Sequence, residues 1–327
     1  MKILFVCARV GEEIPSFVQK DIDILSSKHE VRVVVFERLR KNFCQLVKGA
    51  IWADISFAWF AALHALVVVV LCRILRKKSI VIAGGFDVAS VPELNYGQTL
   101  HFWGRIRTIL TIRLANLVLA VSEFTREEAV QNAKGNIQKI KVIYHGFNIP
   151  TGRMEDKKEN LVVTISHLTK DQIERKGILT FIESAKYLPK FDFKVVGSYL
   201  DNSVENLQRI KTPNVELLGY LSQRELDDLL KRAKVSVQVS IHEGFGCSLA
   251  ETMLHECVPV VTREGAIPEV VGETGLYVPV NDPKLTAQAI LTASKSDLGM
   301  KARERIIKTF PLERRKQLIL ETVASLA

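Results

Sequence analysis

The sequence predicts an α/β protein made of two doubly wound parallel sheets. Three observations predict it. β-branched runs alternate with helical patterns along the whole chain. Residues 235–261, VSVQVSIHEGFGCSLAETMLHECVPVV, read as strand, glycine loop, helix, strand, which is one unit of such a sheet. Residues 150–160, PTGRMEDKKEN, carry almost no apolar side chains and separate two alternating halves. A chain of 327 residues has room for two domains of ordinary size.

In the first half, residues 2–7, 31–36, 55–60, 79–83, 117–121 and 141–144 read as strands. Residues 17–25 read as a helix, and Ser122 is placed to cap another that carries Glu127 and Glu128. In the second half, residues 161–165, 193–196, 215–218 and 235–241 continue as strands, and 301–326 as one or two helices. A dinucleotide dehydrogenase shares this alternation. Here CARVGEEIPSF follows the first strand, with one glycine where a pyrophosphate turn needs three.

Composition narrows the class. Hydrophobic residues make up 47% and charged residues 25%, as in a folded globular chain. Of the net charge of +9, residues 1–150 contribute +8. That surplus suits a solvated face, anionic lipid or an anionic acceptor, and no zinc-finger or RNA-binding motif points to nucleic acid. Cys7, Cys44, Cys72, Cys247 and Cys257 show no paired spacing and read as reduced residues of a cytoplasmic protein. Residues 55–72 contain no Asp, Glu, Lys or Arg. A buried strand plus a sandwiched helix explains this text better than a membrane span, because its first third reads as a strand and His64 interrupts it. Arg73, Arg76, Lys77 and Lys78 follow directly, so peripheral contact with an anionic membrane stays open.

The chemistry concentrates after residue 241. Leu249, Ala250, Met253, Leu254 and Cys257 form an apolar stripe, with Ser248, Glu251 and His255 on the opposite face. Glu243 sits at the carboxyl end of a strand, where open α/β sheets bind ligands. Gly244 and Gly246 let backbone amides approach a ligand, and the helix N-terminus favours an anion. A phosphate seat flanked by two hydroxyl-accepting carboxylates suits a nucleotide sugar. His242-Glu243 lacks the second histidine of a zinc-protease helix, so no metal site is predicted.

Glu243 and Glu251, separated by seven residues in HEGFGCSLAE and followed by GAIPEVVG and GLYVP, resemble the signature of glycosyltransferase family 4. The resemblance implies the GT-B fold: two Rossmann-like, doubly wound domains facing across a cleft. It places an acceptor-binding domain at 1–150, a nucleotide-sugar-binding domain at 151–310, and a helix at 311–327 crossing back to the first domain. It implies a retaining transfer of a hexose from a UDP- or GDP-linked donor to a hydroxyl of a glycan or lipid-linked glycan. No cofactor or metal is required.

By the same resemblance, Glu243 holds donor-sugar hydroxyls, Glu251 the ribose, and Lys176 with the amides of Phe245, Gly246, Cys247 and Ser248 the diphosphate. Gly219, Tyr220 and Leu221 correspond to the nucleobase-holding turn. Gly11 corresponds to the donor-phosphate loop, or is an ordinary strand-to-helix turn. Two positions depart from the family pattern. His167 stands where an arginine is usual, with Arg175 offered as a replacement, and Gly84 stands where a histidine is usual. Asp87 reads equally as a polar group of the site or as the cap of a turn. A silent nucleotide-sugar-binding subunit and another GT-B chemistry, phosphorylase or epimerase, are the rival functions.

Overall fold

The computed structural model describes residues 1–9, 14–150 and 158–326. It consists of two compact units, Met1–Gly146 with Leu312–Ala327, and Phe147–Pro311. The first unit contains β1 (Lys2–Ala8), α1 (Ser16–Ser26), β2 (Glu30–Phe36), α2 (Leu39–Trp52), β3 (Ile55–Trp59), α3 (Leu63–Ile74), β4 (Lys78–Ala83), α4 (Phe102–Leu114), β5 (Leu117–Ala120), α5 (Glu123–Gln131) and β6 (Ile140–Val142). Its strands form one parallel sheet in the order β2-β1-β3-β4-β5-β6.

The second unit contains β7 (Glu159–Ile165), α6 (Lys170–Arg175), α7 (Ile178–Ser184), β8 (Asp192–Val196), α8 (Ser203–Ile210), β9 (Val215–Gly219), α9 (Gln223–Arg232), β10 (Ala233–Gln238), α10 (Cys247–Leu254), β11 (Val258–Val261), α11 (Ile267–Val271), β12 (Leu276–Tyr277), α12 (Pro283–Ser294) and α13 (Leu298–Thr309). Its parallel sheet runs β12-β11-β10-β7-β8-β9. The last helix, α14 (Leu312–Leu326), belongs to the first unit.

Helices on both faces of a parallel sheet bury its central strands completely, which is why those strands read as unbroken apolar runs. The charge-free run 55–72 shows this directly. It becomes β3, buried along its whole length, and most of α3, which buries His64, Ala65, Val68, Val69 and Cys72. Burial lowers the pKa of His64, whose Nε2 lies 2.6 Å from the Trp59 carbonyl oxygen. Among the described residues, no helix is long and apolar enough to cross a membrane.

Two small contacts define the second unit's ends. The Phe147 amide donates to the Phe310 carbonyl at 3.0 Å, and Phe147 bridges Pro311, so entering and leaving chain lie side by side. The division thus falls at 146/147 and 311/312. Residues 151–157 of the expected linker lie outside the described residues.

Within the first unit, α14 is fastened by a buried ion pair. Arg315 Nε and Nη2 donate to the two carboxylate oxygens of Asp21 on α1, both at 2.7 Å, and Nη1 donates to the carbonyls of Ile143 (2.9 Å) and Tyr144 (2.7 Å). Trp59 Nε1 donates to the same carboxylate at 2.9 Å. Removing one partner strands the other charge in a dry interior, so Arg315→Ala should cost about 3–5 kcal/mol. Replacing both, as Asp21→Asn with Arg315→Met, should cost less than the single change. Chemical denaturation of the three proteins checks this; equal stability of Arg315→Ala and the parent would remove the pair's structural role.

Candidate functional site

Each sheet has one place where the chain reverses its direction of winding. In the second unit β7, β8 and β9 run outward on one side, and β10, β11 and β12 on the other. The loops after β7 and β10 therefore diverge to opposite faces and leave a crevice at their carboxyl ends. The sequence-predicted residues Arg175, Lys176 and Glu243 come from the segments that follow these two strands.

Glycine contacts hold the two segments together. Gly177 has φ +66°, and a Cβ there would stand 2.4 Å from the Val239 carbonyl oxygen. No other residue lets α6 and α7 lie this close to the end of β10. The Ile241 amide donates to the Arg175 carbonyl at 2.8 Å, and Arg175 Nη1 donates to the His242 carbonyl at 2.9 Å. On the far side, Gly265 (φ +59°) backs onto Glu243, with a Cβ there only 2.4 Å from the Glu243 carbonyl oxygen. The Ala266 amide donates to that same oxygen at 2.8 Å. Glu243 is thereby clamped from both sides.

Its carboxylate meets a set of donors on one oxygen. Lys176 Nζ donates to Glu243 Oε2, Gln238 Nε2 donates to it at 2.9 Å, and Arg175 Nη1 lies 3.9 Å away. Among the described residues, no contact reaches Oε1. Both the Lys176 and Glu243 side chains are 12% exposed, so the pair is nearly dry. Burial lowers the Lys176 pKa, partly offset by Glu243. Burial alone would raise that of Glu243, but Lys176 and Arg175 together hold it below the ordinary value. Formally, Arg175, Lys176 and Glu243 sum to one positive charge.

The helix beside this cluster starts where the sequence predicts. Gly246, at φ +98°, precedes α10, and Ser248 Oγ donates to Gln238 Oε1 at 3.2 Å, tying the first turn to the cluster. Phe245 turns its ring away, stacked on Phe147 at 6.1 Å and edge-on to Phe310 at 5.4 Å, so only its backbone faces the loop. Leu249, Ala250, Met253 and Leu254 are buried as the stripe requires, and Glu251 is half-buried. His255 does not share its face with Ser248 and Glu251. The helix ends at Leu254, and His255 folds inward, Nδ1 at 2.9 Å from the Glu251 carbonyl oxygen and Nε2 at 3.4 Å from Asp227.

Gly219, Tyr220 and Leu221 follow β9, three strands from β10. That separation is roughly 14 Å at ordinary strand spacing. Gly219 has φ +71°, Tyr220 is 70% exposed, and Leu221 is half-buried. Tyr199, which sequence reasoning missed, places its ring 3.7 Å from where a Gly219 Cβ would stand and donates through Oη to the Leu217 carbonyl at 2.8 Å. Gln238 was missed too, although a glutamine inside the buried strand VSVQVS was its signal. His167 is exposed, while Arg175 beside the cluster is buried.

In the first unit, Gly84 has no room for the histidine of the family pattern: a Cβ there would stand 2.3 Å from the Phe60 ring. Asp87 resolves as a turn cap. It is fully buried and accepts from the amides of Ala61 (2.7 Å), Gly84 (3.0 Å) and Gly85 (3.1 Å). Burial nevertheless raises its pKa to about 6. Gly11 lies outside the described residues.

Residues 159–296 match the family described as glycosyl transferases group 1. The matched segment runs from β7 through α12 of the second unit. Over 227 residues the chain is 23% identical to the O-antigen chain mannosyltransferase RfbU of Salmonella typhimurium, covering 68% of this chain and 63% of that protein. Over 179 residues it is 28% identical to an uncharacterized glycosyltransferase of Methanocaldococcus jannaschii, covering 53% and 48%. The aligned stretches thus span about half to under two thirds of these relatives' own lengths. The structure of Anabaena HepE in complex with UDP-glucose superposes with a TM-score of 0.83 at 20% identity, over 99% of this chain and 100% of that one. The fold is therefore GT-B, two Rossmann-like domains.

Two measurements test the site's electrostatics. Glu243→Gln keeps the size and strands two buried cations, so stability should fall by about 3–5 kcal/mol. Because the folded carboxyl titrates below its unfolded value, this stabilisation is present above the usual carboxylate range and is lost as pH falls through it. The parent and variant curves should therefore converge in acid, and parallel curves would contradict the pairing. Asp87 has the opposite sign. Its raised value means that its stabilisation is full below the unfolded pKa and is lost as pH rises through about 6. Asp87→Asn should gain on the parent by up to roughly 3 kcal/mol between about pH 4 and about pH 7. A pH-independent difference would exclude this titration.

Proposed function

We propose that the protein is a retaining hexosyltransferase that moves a hexose from a nucleoside-diphosphate sugar to a hydroxyl of a glycan or lipid-linked glycan. The observation that carries this reading is the arrangement at Glu243. Oε2 is occupied by Lys176 and Gln238, while among the described residues Oε1 takes part in no hydrogen bond or ion pair and keeps two lone pairs to offer. A carboxylate whose second oxygen is fixed in this way is suited to accept from sugar hydroxyls rather than to act as a mobile base.

The donor's diphosphate would lie against Lys176, Arg175 and the amides of Gly246 to Ser248. Charge grows on it as the glycosidic bond breaks, and fixed cations in a dry site stabilise that charge. These groups meet the phosphate charge without a metal. Gly219 to Leu221, with Tyr199 beside them, would hold the nucleobase, and Glu251 the ribose. The roughly 14 Å between β9 and β10 suits a ligand of nucleotide-sugar length. Retention follows from front-face attack, with the leaving phosphate accepting the acceptor's proton. The mannosyltransferase and UDP-glucose descriptions of the similar proteins support a hexose donor.

One observation favours a second reading, a nucleotide-sugar-binding subunit without turnover. Phe60 fills the space beside Gly84, so the histidine of the family pattern has no substitute there. Turnover separates the two readings. A screen of UDP-, GDP- and ADP-hexoses should reveal slow donor hydrolysis that survives EDTA, with the α or β configuration of the donor kept in the first-formed sugar by NMR. Tight nucleotide binding without hydrolysis or transfer would favour the subunit, and an inverted product would end the retaining reading. Glu251→Ala should raise donor KM about tenfold or more with kcat nearly kept, because ribose is held alike in ground and transition states. An unchanged KM would remove Glu251 from the site.

A further inference from the structure

The helix α4 carries apolar residues on both its inward and its outward face. Its inward positions are Gly104, Thr108, Thr111 and Ile112, all buried. A Cβ on Gly104 would stand 2.1 Å from the Gln98 carbonyl oxygen, so the helix approaches its neighbour more closely than a side chain allows. Thr108 Oγ1 accepts from Gln98 Nε2 at 2.5 Å and lies 3.1 Å from the Asp87 carbonyl oxygen, to which it can donate. Small and hydroxyl side chains thus face the protein. Facing outward are Phe102 (69% exposed), Trp103 (72%) and Leu110 (43%). On a helix Phe102, Ile106 and Leu110 stand in one row and Trp103 lies beside it. Ile109, Ile112 and Leu114 pack on the core, so this outward apolar row is additional to the face that holds the helix in place.

The charges along this stretch of the chain have one sign. Between Glu93 and Glu123 the sequence has no acidic residue, and α4 itself carries Arg105, Arg107 and Arg113. Arg105 and Arg113 are exposed, and Arg107 Nε donates to the Trp103 carbonyl at 3.2 Å, ordering the first turn. The neighbouring helix extends both features. Arg73 Nη1 donates to the Leu114 carbonyl at 3.4 Å, and the adjacent Ile74 is 71% exposed. Exposed Phe and Trp flanked by arginines, with no carboxylate among them, are complementary to an anionic bilayer: rings at the headgroup boundary, guanidinium groups on the phosphates.

We propose that the outward face of α4 docks the first unit onto an anionic lipid surface, with Phe102 and Trp103 inserted at the interface. This moves the main membrane contact from residues 55–78, where the sequence suggested it and whose β3 is wholly buried, to α4, with Ile74 at its edge. The proposal is independent of the transferase chemistry.

The test uses the full chain with vesicles of phosphatidylcholine alone or mixed with phosphatidylglycerol. Sedimentation should show binding to the anionic vesicles that weakens with salt, and brominated acyl chains should quench the protein's fluorescence. Trp59 is 1% exposed and Trp52 lies under Arg32, so the quenched component should vanish in Trp103→Phe. Phe102→Ser with Trp103→Ser should lower the partition coefficient at least about tenfold while leaving Tm unchanged. Arg105→Gln or Arg113→Gln should each lower it about fivefold. No binding to anionic vesicles at low salt would overturn the proposal. So would anionic binding that the Phe102/Trp103 double variant keeps, since surface charge alone would then explain it.

Discussion

The second unit's site depends on a buried lysine–glutamate contact at the end of β10. Taking either charge out of water alone is costly, and each is tolerable there because the other is present. Lys176 arrives from the segment after β7, and Glu243 from the loop after β10, so the contact also joins the two sides of the switch point. Arg175 adds a second cation, and the cluster is left with a formal surplus of one positive charge. An apolar pair could fill the same volume. It would not leave a fixed cationic seat beside a carboxylate oxygen that no described residue occupies, a combination suited to a sugar phosphate.

Backbone proximity makes the contact possible. Gly177 and Gly265 each stand where a Cβ would strike a carbonyl oxygen at 2.4 Å, one behind Lys176 and the other behind Glu243. Both also have positive φ, so space and conformation select glycine together. The residues that carry charge are thus positioned by neighbours that carry no side chain at all. Gln238, reaching from inside the sheet, and Ser248, from the first turn of α10, then set the carboxylate's rotation.

The first unit applies the same physics to different ends. Asp87 spends its carboxylate on the amides of a turn, and Asp21 spends its own on Arg315 and Trp59. Neither is available to a substrate. The helix that packs over the Asp87 turn buries its hydroxyls and glycine because that is what a close backbone approach demands, and Phe102, Trp103 and Leu110 are left on its outer face.

Much of the architecture was legible in the sequence. The β-branched runs, Ser122 as a cap, and the start of α10 after Gly246 are local consequences of propensity and steric freedom, and they appear where the pattern places them. Glu243 and the glycines between β10 and α10 stood out because their residue types are unusual at the end of a buried strand, whereas Lys176 stood out only through the family resemblance of Lys176-Gly177. Other features were decided only by tertiary structure. Strand order, and with it the switch point, depends on which side each crossover takes, and no periodicity records that. The pairing of Lys176 with Glu243 across 67 positions, the filling of Gly84's space by Phe60, and the inward turn of His255 each depend on a neighbour distant in sequence. A helical pattern shows which residues share a face. Only packing decides which face meets the protein, and in α4 apolar residues stand on both.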